Sequence, residues 1–182
     1  GMIMGEGAGA ILLERRDAAL ARGSTIYGEI SGFGASTVID EDGTPRIDKA
    51  LENVIRQALE TAGMEPGEVG HVHAHGLSCP VTDAQEATAI QSVFGDRSSP
   101  IPVVAAKSSF GNLGAGSGTV ELISSLLAFK HDRLFPVLNY QTPDPDCPLN
   151  VVVTGDIPPG DSVLNLSVSP QAQASSLLIK RC

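Results

Sequence analysis

The chain has 182 residues, 42% of them hydrophobic, with 20 glycines and 12 prolines, the composition of a turn-rich globular protein. A chain of about 150 residues already buries roughly 68–70% of the surface its unfolded form exposes, so one well-buried α/β domain is expected and whole-domain disorder is not. The formal charge of −9, with Arg15-Arg16 and Lys180-Arg181 the only adjacent basic pairs, argues against nucleic-acid binding, which needs clustered cations.

Cys79, Cys147 and Cys182 are widely spaced and odd in number, so they form neither a disulfide framework nor a C-x-x-C metal pattern. A reducing cytoplasm is the natural setting, and no metal or organic cofactor is expected. No apolar run approaches the ~18–20 residues of a membrane helix, and no charged-then-apolar signal opens the chain, so no membrane partner is expected. Gly1 ahead of Met2 reads as a tag remnant, with Met2 the expected first encoded residue.

Met4-Gly5-Glu6-Gly7-Ala8-Gly9 leads into an apolar run at residues 10–13 that predicts a strand. A short helix over 14–22, closed by Gly23, and a second strand over 25–34 complete a strand, helix, strand unit. Residues 36–46 read as a surface loop. Ala50, Leu51, Val54, Ile55, Ala58, Leu59 and Ala62 then fall at the i, i+3, i+4 spacing of an amphipathic helix closed by Gly63. A short strand over 69–74, a helix over 82–94 and a fully apolar strand over 101–106 follow, the last of the kind buried on both faces in α/β proteins. A glycine-rich turn over 111–118 precedes an apolar helix over 119–129. Residues 135–139, 150–153, 163–168 and 175–179 are strand-like, separated by Pro- and Asp-rich turns. Alternating helices and strands, then strands after strands, predict a layered α/β sheet with mixed parallel and antiparallel pairing.

Two clusters can carry chemistry. His71, His73 and His75 are spaced to share one face of a strand, as metal ligands do, but a strand ending at Gly76 puts His75 in the turn and off that face. His71 and His73 are therefore expected to be partly buried structural histidines. His75, beside Gly76 and Ser78 at a strand end, sits where α/β folds place functional groups. The second cluster runs Lys107-Ser108-Ser109-Phe110-Gly111-Asn112-Leu113-Gly114-Ala115-Gly116-Ser117-Gly118, with Glu121 beyond it. Such a turn can cradle an anion at a helix N-terminus or simply let helix and sheet pack closely; it lacks the Gly-Lys-Ser/Thr end of a Walker A loop, and by itself the packing reading is stronger.

Together, Ala74-His75-Gly76-x-Ser78 with Asp83 and Glu86, then Lys107-Ser108-x-x-Gly111 ending in Gly118 and Glu121, resemble the C-terminal half of β-ketoacyl-[acyl carrier protein] synthases, condensing enzymes of the thiolase-like fold. Gly5-Glu6-Gly7-Ala8-Gly9 and Ala21-Arg22-Gly23 are similar to the segment those enzymes place just before that half. The likeness divides the chain into residues 2–36, resembling the end of the N-terminal half, and a C-terminal-half-like domain over 37–182. It implies a mixed five-stranded sheet with helices, one half of a five-layer sandwich.

The resemblance also implies roles. His75 corresponds to the histidine that hydrogen-bonds the malonyl thioester carbonyl as carbon dioxide leaves, an interaction of the oxyanion-hole kind worth ~3–4 kcal/mol. Lys107 matches the active-site lysine, Glu121 a carboxylate that organises the site, and Ser78, Gly111 and Asn165 substrate-binding positions. Three departures accompany these matches. Asn112 stands where the commonest pattern has a second histidine, though an amide still donates to a carbonyl. After Asn165 the expected glycine-rich loop reads Leu166 to Gln173 without a glycine, Pro170 removes a backbone donor, and Leu77 replaces a hydroxyl residue. The half that carries the nucleophilic cysteine is not represented, and none of the three cysteines has its sequence context.

The expected function is accordingly a β-ketoacyl synthase-like protein of fatty acid or polyketide biosynthesis, of an acyltransferase family, that does not condense by itself. The alternatives are a split enzyme completed by a cysteine-bearing chain, or an acyl- or pantetheine-binding module. Expected partners are acyl carrier protein or an acyl thioester, and a second copy or a synthase N-terminal half to cover the sheet face that half a sandwich leaves open.

Overall fold

The chain, described over all 182 residues in a computed structural model, does not form the strand expected at residues 10–13; Leu12 and Leu13 are 79% and 68% exposed. A strand needs a neighbour for its backbone groups. The pairing this segment finds is further back, at Met4, which bridges Asn112 in parallel. Helix α1 (Arg16–Ala21) follows, and then β1 (Glu29–Thr37), a few residues later than the spacing predicts.

Helix α2 (Ile47–Ala62) buries Ile47, Ala50, Leu51, Val54, Ile55, Ala58 and Leu59 on one face, the amphipathic stripe of the sequence extended by one turn at its start. Gly63, at φ 60°, closes it in the left-handed conformation, and the Met64 amide reaches back to the Leu59 carbonyl. Each buried Leu, Ile or Val on this face contributes roughly 1.5–3 kcal/mol. Strand β1 lies directly against α2 because Gly32 and Gly34 have no side chain there; a Cβ at either would strike the carbonyl of Ala58 or Val54. Phe33, on the opposite side of the strand, is 62% exposed.

Beyond a short turn of 3-10 helix (Pro66–Glu68) come β2 (His71–His73), α3 (Pro80–Phe94), β3 (Pro102–Val104), α4 (Lys107–Phe110), a second 3-10 turn (Gly114–Gly116) and α5 (Ser117–His131). Strands β4 (Asn150–Val151), β5 (Ser162–Val168) and β6 (Gln173–Lys180) complete the chain. The sheet order is β1-β6-β5-β2-β3-β4. The four strands from β5 to β4 are parallel, and β6 joins β5 and β1 antiparallel.

This sheet has six strands, not the expected five. The edge strand β4, expected over 150–153, is only two residues long and is held where the Asn150 side chain reaches the Pro100 carbonyl (3.1 Å) and the Val152 amide the Val103 carbonyl (2.9 Å). Residues 135–139 are not a strand. Val137 makes one bond to Val152, the Leu138 amide turns to the Ser108 hydroxyl, and Asn139 adopts φ 61°, so no ladder propagates.

Helices α2 and α3 cover one face and α5 the other, so Leu164 and Leu166 in the middle strand β5 are fully buried. The parallel strands β2 and β3 end together, at the mouth where His75 and Lys107 lie. No helix is long and apolar enough to cross a membrane.

Candidate active site

Beyond β2 the backbone turns sharply: Gly76 has φ 52° and Ser78 φ 61°, a left-handed conformation that suits glycine and strains serine. The turn is held from α3. Buried Glu86 accepts the His75 amide on one carboxyl oxygen (2.6 Å) and the Gly76 amide on the other (2.9 Å), while Asp83 accepts the Leu77 amide (3.1 Å). Burial pushes the Glu86 carboxyl up to about 7 against the pull of these two amides, and it raises Asp83 as well.

Lys107 opens α4 at the end of β3, and its Nζ is the hub of the site. It donates to the His75 carbonyl (2.6 Å), faces His75 Nδ1 (3.3 Å) and pairs with Glu121 on α5. An amine so placed makes Nδ1 the acceptor and leaves the proton on His75 Nε2, a tautomer assigned from the hydrogen-bond network. Burial, with the nearby lysine charge, holds His75 down to about 4, so its ring is neutral near pH 7. Glu121 is fully buried; one of its oxygens has no partner, and burial raises its carboxyl despite Lys107.

Asn112 follows α4. Its Oδ1 accepts the Gly114 amide (3.1 Å) and the Ser117 hydroxyl (3.2 Å), which fixes the amide orientation and leaves Nδ2 with the weakly accepting thioether of Met2. Gly111, at φ 78°, brings the turn against residues 3–5. A cleft of about 600 Å³ opens here, lined by Ser78, Lys107, Gly111 and Asn112 among the residues singled out from the sequence. Glu121 sits behind Lys107. Asn165 does not line the cleft; it is buried on β5 in register with His73, its Nδ2 unpaired.

His71 and His73 are fully buried, further in than the partial burial expected of them. His71 Nδ1 meets the Pro159 carbonyl at 2.7 Å. His73 engages both ring nitrogens, with the Ser125 hydroxyl (2.8 Å) and the Ala106 amide (3.2 Å). Cys79 is half-buried just ahead of α3, Cys147 half-buried on the cleft wall and Cys182 exposed. Glu86 and Asp83 belong to the motif that carries the resemblance without a role of their own there; their i, i+3 spacing at the start of the helix after His75 is the signal for one.

The segment after Asn165 is a tight hairpin between β5 and β6, with its donors turned inward. The Ser169 hydroxyl takes the amides of Gln171 and Gln173 (both 3.3 Å), the Ser169 carbonyl takes the Ala172 amide (3.0 Å), and Pro170 has no N–H to offer.

A mixed sheet between helical layers, with a histidine turn and a Lys–Glu pair at the ends of its parallel strands, defines one half of a thiolase-like condensing fold. Residues 27–141 match the β-ketoacyl synthase C-terminal domain, and the chain belongs to that family. It is 37% identical over 153 residues to 3-oxoacyl-[acyl-carrier-protein] synthase 2 of Synechocystis sp., covering 84% of this chain and 37% of that one. A solved ketosynthase/chain length factor of ishigamide superposes with a TM-score of 0.87 at 33% identity, covering 100% of this chain and 45% of that one. A type II polyketide synthase ketosynthase, solved with its acyl-carrier protein and bound to the hexaketide, gives 0.82 at 30% identity, covering 93% and 42%. The chain thus spans less than half the length of each.

Proposed function

We propose that this chain is a non-condensing β-ketoacyl synthase-like subunit of cytoplasmic fatty acid or polyketide biosynthesis, which keeps the thioester-binding side of the site and works against a second thiolase-like half. The observation that carries this reading is the hairpin at residues 169–173, whose amides donate to the Ser169 hydroxyl and carbonyl instead of facing a developing oxyanion. Losing one such donor costs roughly 10²–10³ in kcat. His75 Nε2–H and Asn112 Nδ2–H remain as donors for a thioester carbonyl, with Lys107 and Glu121 holding the histidine. The likeness to a ketosynthase/chain length factor, and to a ketosynthase solved with its carrier protein, supports pairing with a synthase half and with an acyl carrier protein.

The test supplies malonyl- and acyl-carrier thioesters to the chain, alone and with a ketosynthase N-terminal half added, and follows carbon dioxide release and β-ketoacyl product by mass spectrometry. Neither is expected beyond background, whereas robust decarboxylation or condensation by the chain sinks the reading.

The exposed apolar side chains of Ile3, Leu12, Leu13 and Phe33 need a cover in water. On this reading the cover is a second thiolase-like half, and two copies of the chain bury each other's open face when no other half is present. Gel filtration at micromolar concentration is expected to show a dimer; a stable monomer contradicts the pairing.

A further inference from the structure

The cleft's lysine and asparagine, and His75 beside them, are accounted for above, but the buried carboxyl of Glu86 is not. Glu86 lies at the cleft wall, but both of its oxygens are committed to the backbone of the turn. It spends one oxygen on the His75 amide and the other on the Gly76 amide, from a helix that otherwise packs into the core. We propose that Glu86 is the positioning residue of the His75 turn, and that gaining or losing its proton releases or sets that turn. The functional meaning rests on the reading of His75 as a thioester donor; the structural claim does not.

The geometry demands an ionised carboxylate. Two N–H groups face two oxygens, so both oxygens must accept. A protonated Glu86 has one oxygen carrying a hydrogen, which then confronts an amide hydrogen. An isosteric glutamine has the same fault permanently, because its NH2 opposes one of the two amides. Gly76 and Ser78 are in left-handed conformations, and besides Glu86 the turn is held by the Asp83 bond to the Leu77 amide and the Lys107 bond to the His75 carbonyl, neither of which takes the His75 or Gly76 amide. Burial lifts the Glu86 carboxyl to about 7, so the exchange of states falls near neutrality.

The charged and titratable groups around Glu86 are Asp83 on its own helix, Lys107 from α4, Cys147 from the loop before β4, and His75 itself. Asp83 raises the Glu86 carboxyl and Lys107 lowers it. His75 is held down to about 4, three units away from the proposed transition.

Backbone amide hydrogen exchange, resolved by NMR and corrected for intrinsic rates, reads the turn without any substrate. In the unaltered full chain, protection of the His75 and Gly76 amides is expected to fall about tenfold between pH 8 and pH 6, with a midpoint near 7. Amides in α2 serve as the internal reference. In Glu86→Gln, protection of the same two amides is expected to be low and flat across that range. Unchanged protection in a folded E86Q variant overturns the proposal, as does a pH-independent profile or a midpoint near 4 in the unaltered chain. The unaltered chain decides the question even if E86Q does not fold. Robust turnover in the thioester assay above, with this profile intact, removes the non-condensing reading and leaves the device standing.

Discussion

Replacing Lys107 by methionine is expected to cost about 3–5 kcal/mol of folding stability, far beyond the ~0–1 kcal/mol of a surface ion pair. The side chains of Lys107 and Glu121 are 5% and 0% exposed, and one Glu121 oxygen already lacks a partner. Without the lysine, the carboxylate is left in the interior with no counter-charge, and the His75 carbonyl and Nδ1 lose their donor. Glu121, already inclined by burial to keep its proton, then becomes neutral, so the loss should shrink as pH is lowered. The double substitution Lys107→Met with Glu121→Leu removes both charges and should recover most of the stability, because an apolar pair of similar volume is often neutral or better. Urea unfolding of the two single variants and the double variant measures the coupling. A loss below about 1 kcal/mol for K107M would mean that the pair is as solvent-screened as a surface one.

Much of this arrangement was legible in the sequence, for local reasons. The stripe from Ala50 to Ala62 and its closing Gly63 specify α2 without help from elsewhere, and Gly76 marks the end of β2 and hence the turn that carries His75. The order of the His75, Lys107, Gly111 and Glu121 signals was readable because the resemblance supplied their context. What escaped depends on partners distant in the chain. Residues 10–13 have the composition of a strand, but no strand of the same chain lies beside them. Residues 135–139 read the same way, and their amides are drawn singly toward Val152 and Ser108. Strand β4 was legible at 150–153, but its length was not: it is cut to two residues because its pairing ends with the edge of β3. The missing glycines after Asn165 were visible as absences, yet the inward donors of the hairpin appear only once Ser169 is seen to accept from Gln171 and Gln173.

Acidification is expected to unfold the chain through its three buried histidines. His71 and His75 are held down to about 4, and His73 well below its ordinary value, in each case chiefly by burial. As pH drops through about 6.5, the unfolded chain takes up these protons and the folded chain does not, so stability falls. Each histidine displaced from 6.5 to about 4 accounts for roughly 3 kcal/mol once pH has fallen below both values. Geometry reinforces the point at His73, where protonation would turn Nε2–H toward the Ala106 amide. Glu86 opposes this. Raised to about 7, it binds a proton more tightly folded than unfolded, which stabilises the folded chain as pH falls from 7 toward 4.5. Near pH 5.5 the unfolded chain still binds about one to two more protons than the folded one, a slope of roughly 1.4–2.7 kcal/mol per pH unit. Urea midpoints at pH 7.5, 6.5 and 5.5 should therefore fall in that order, and His71→Leu should flatten the slope by about one proton. Flat or rising stability over the same range would show that at least one of these rings is charged inside the fold, and the neutral, Nε2–H form of His75 on which the proposed thioester contact rests would be the first assignment to abandon.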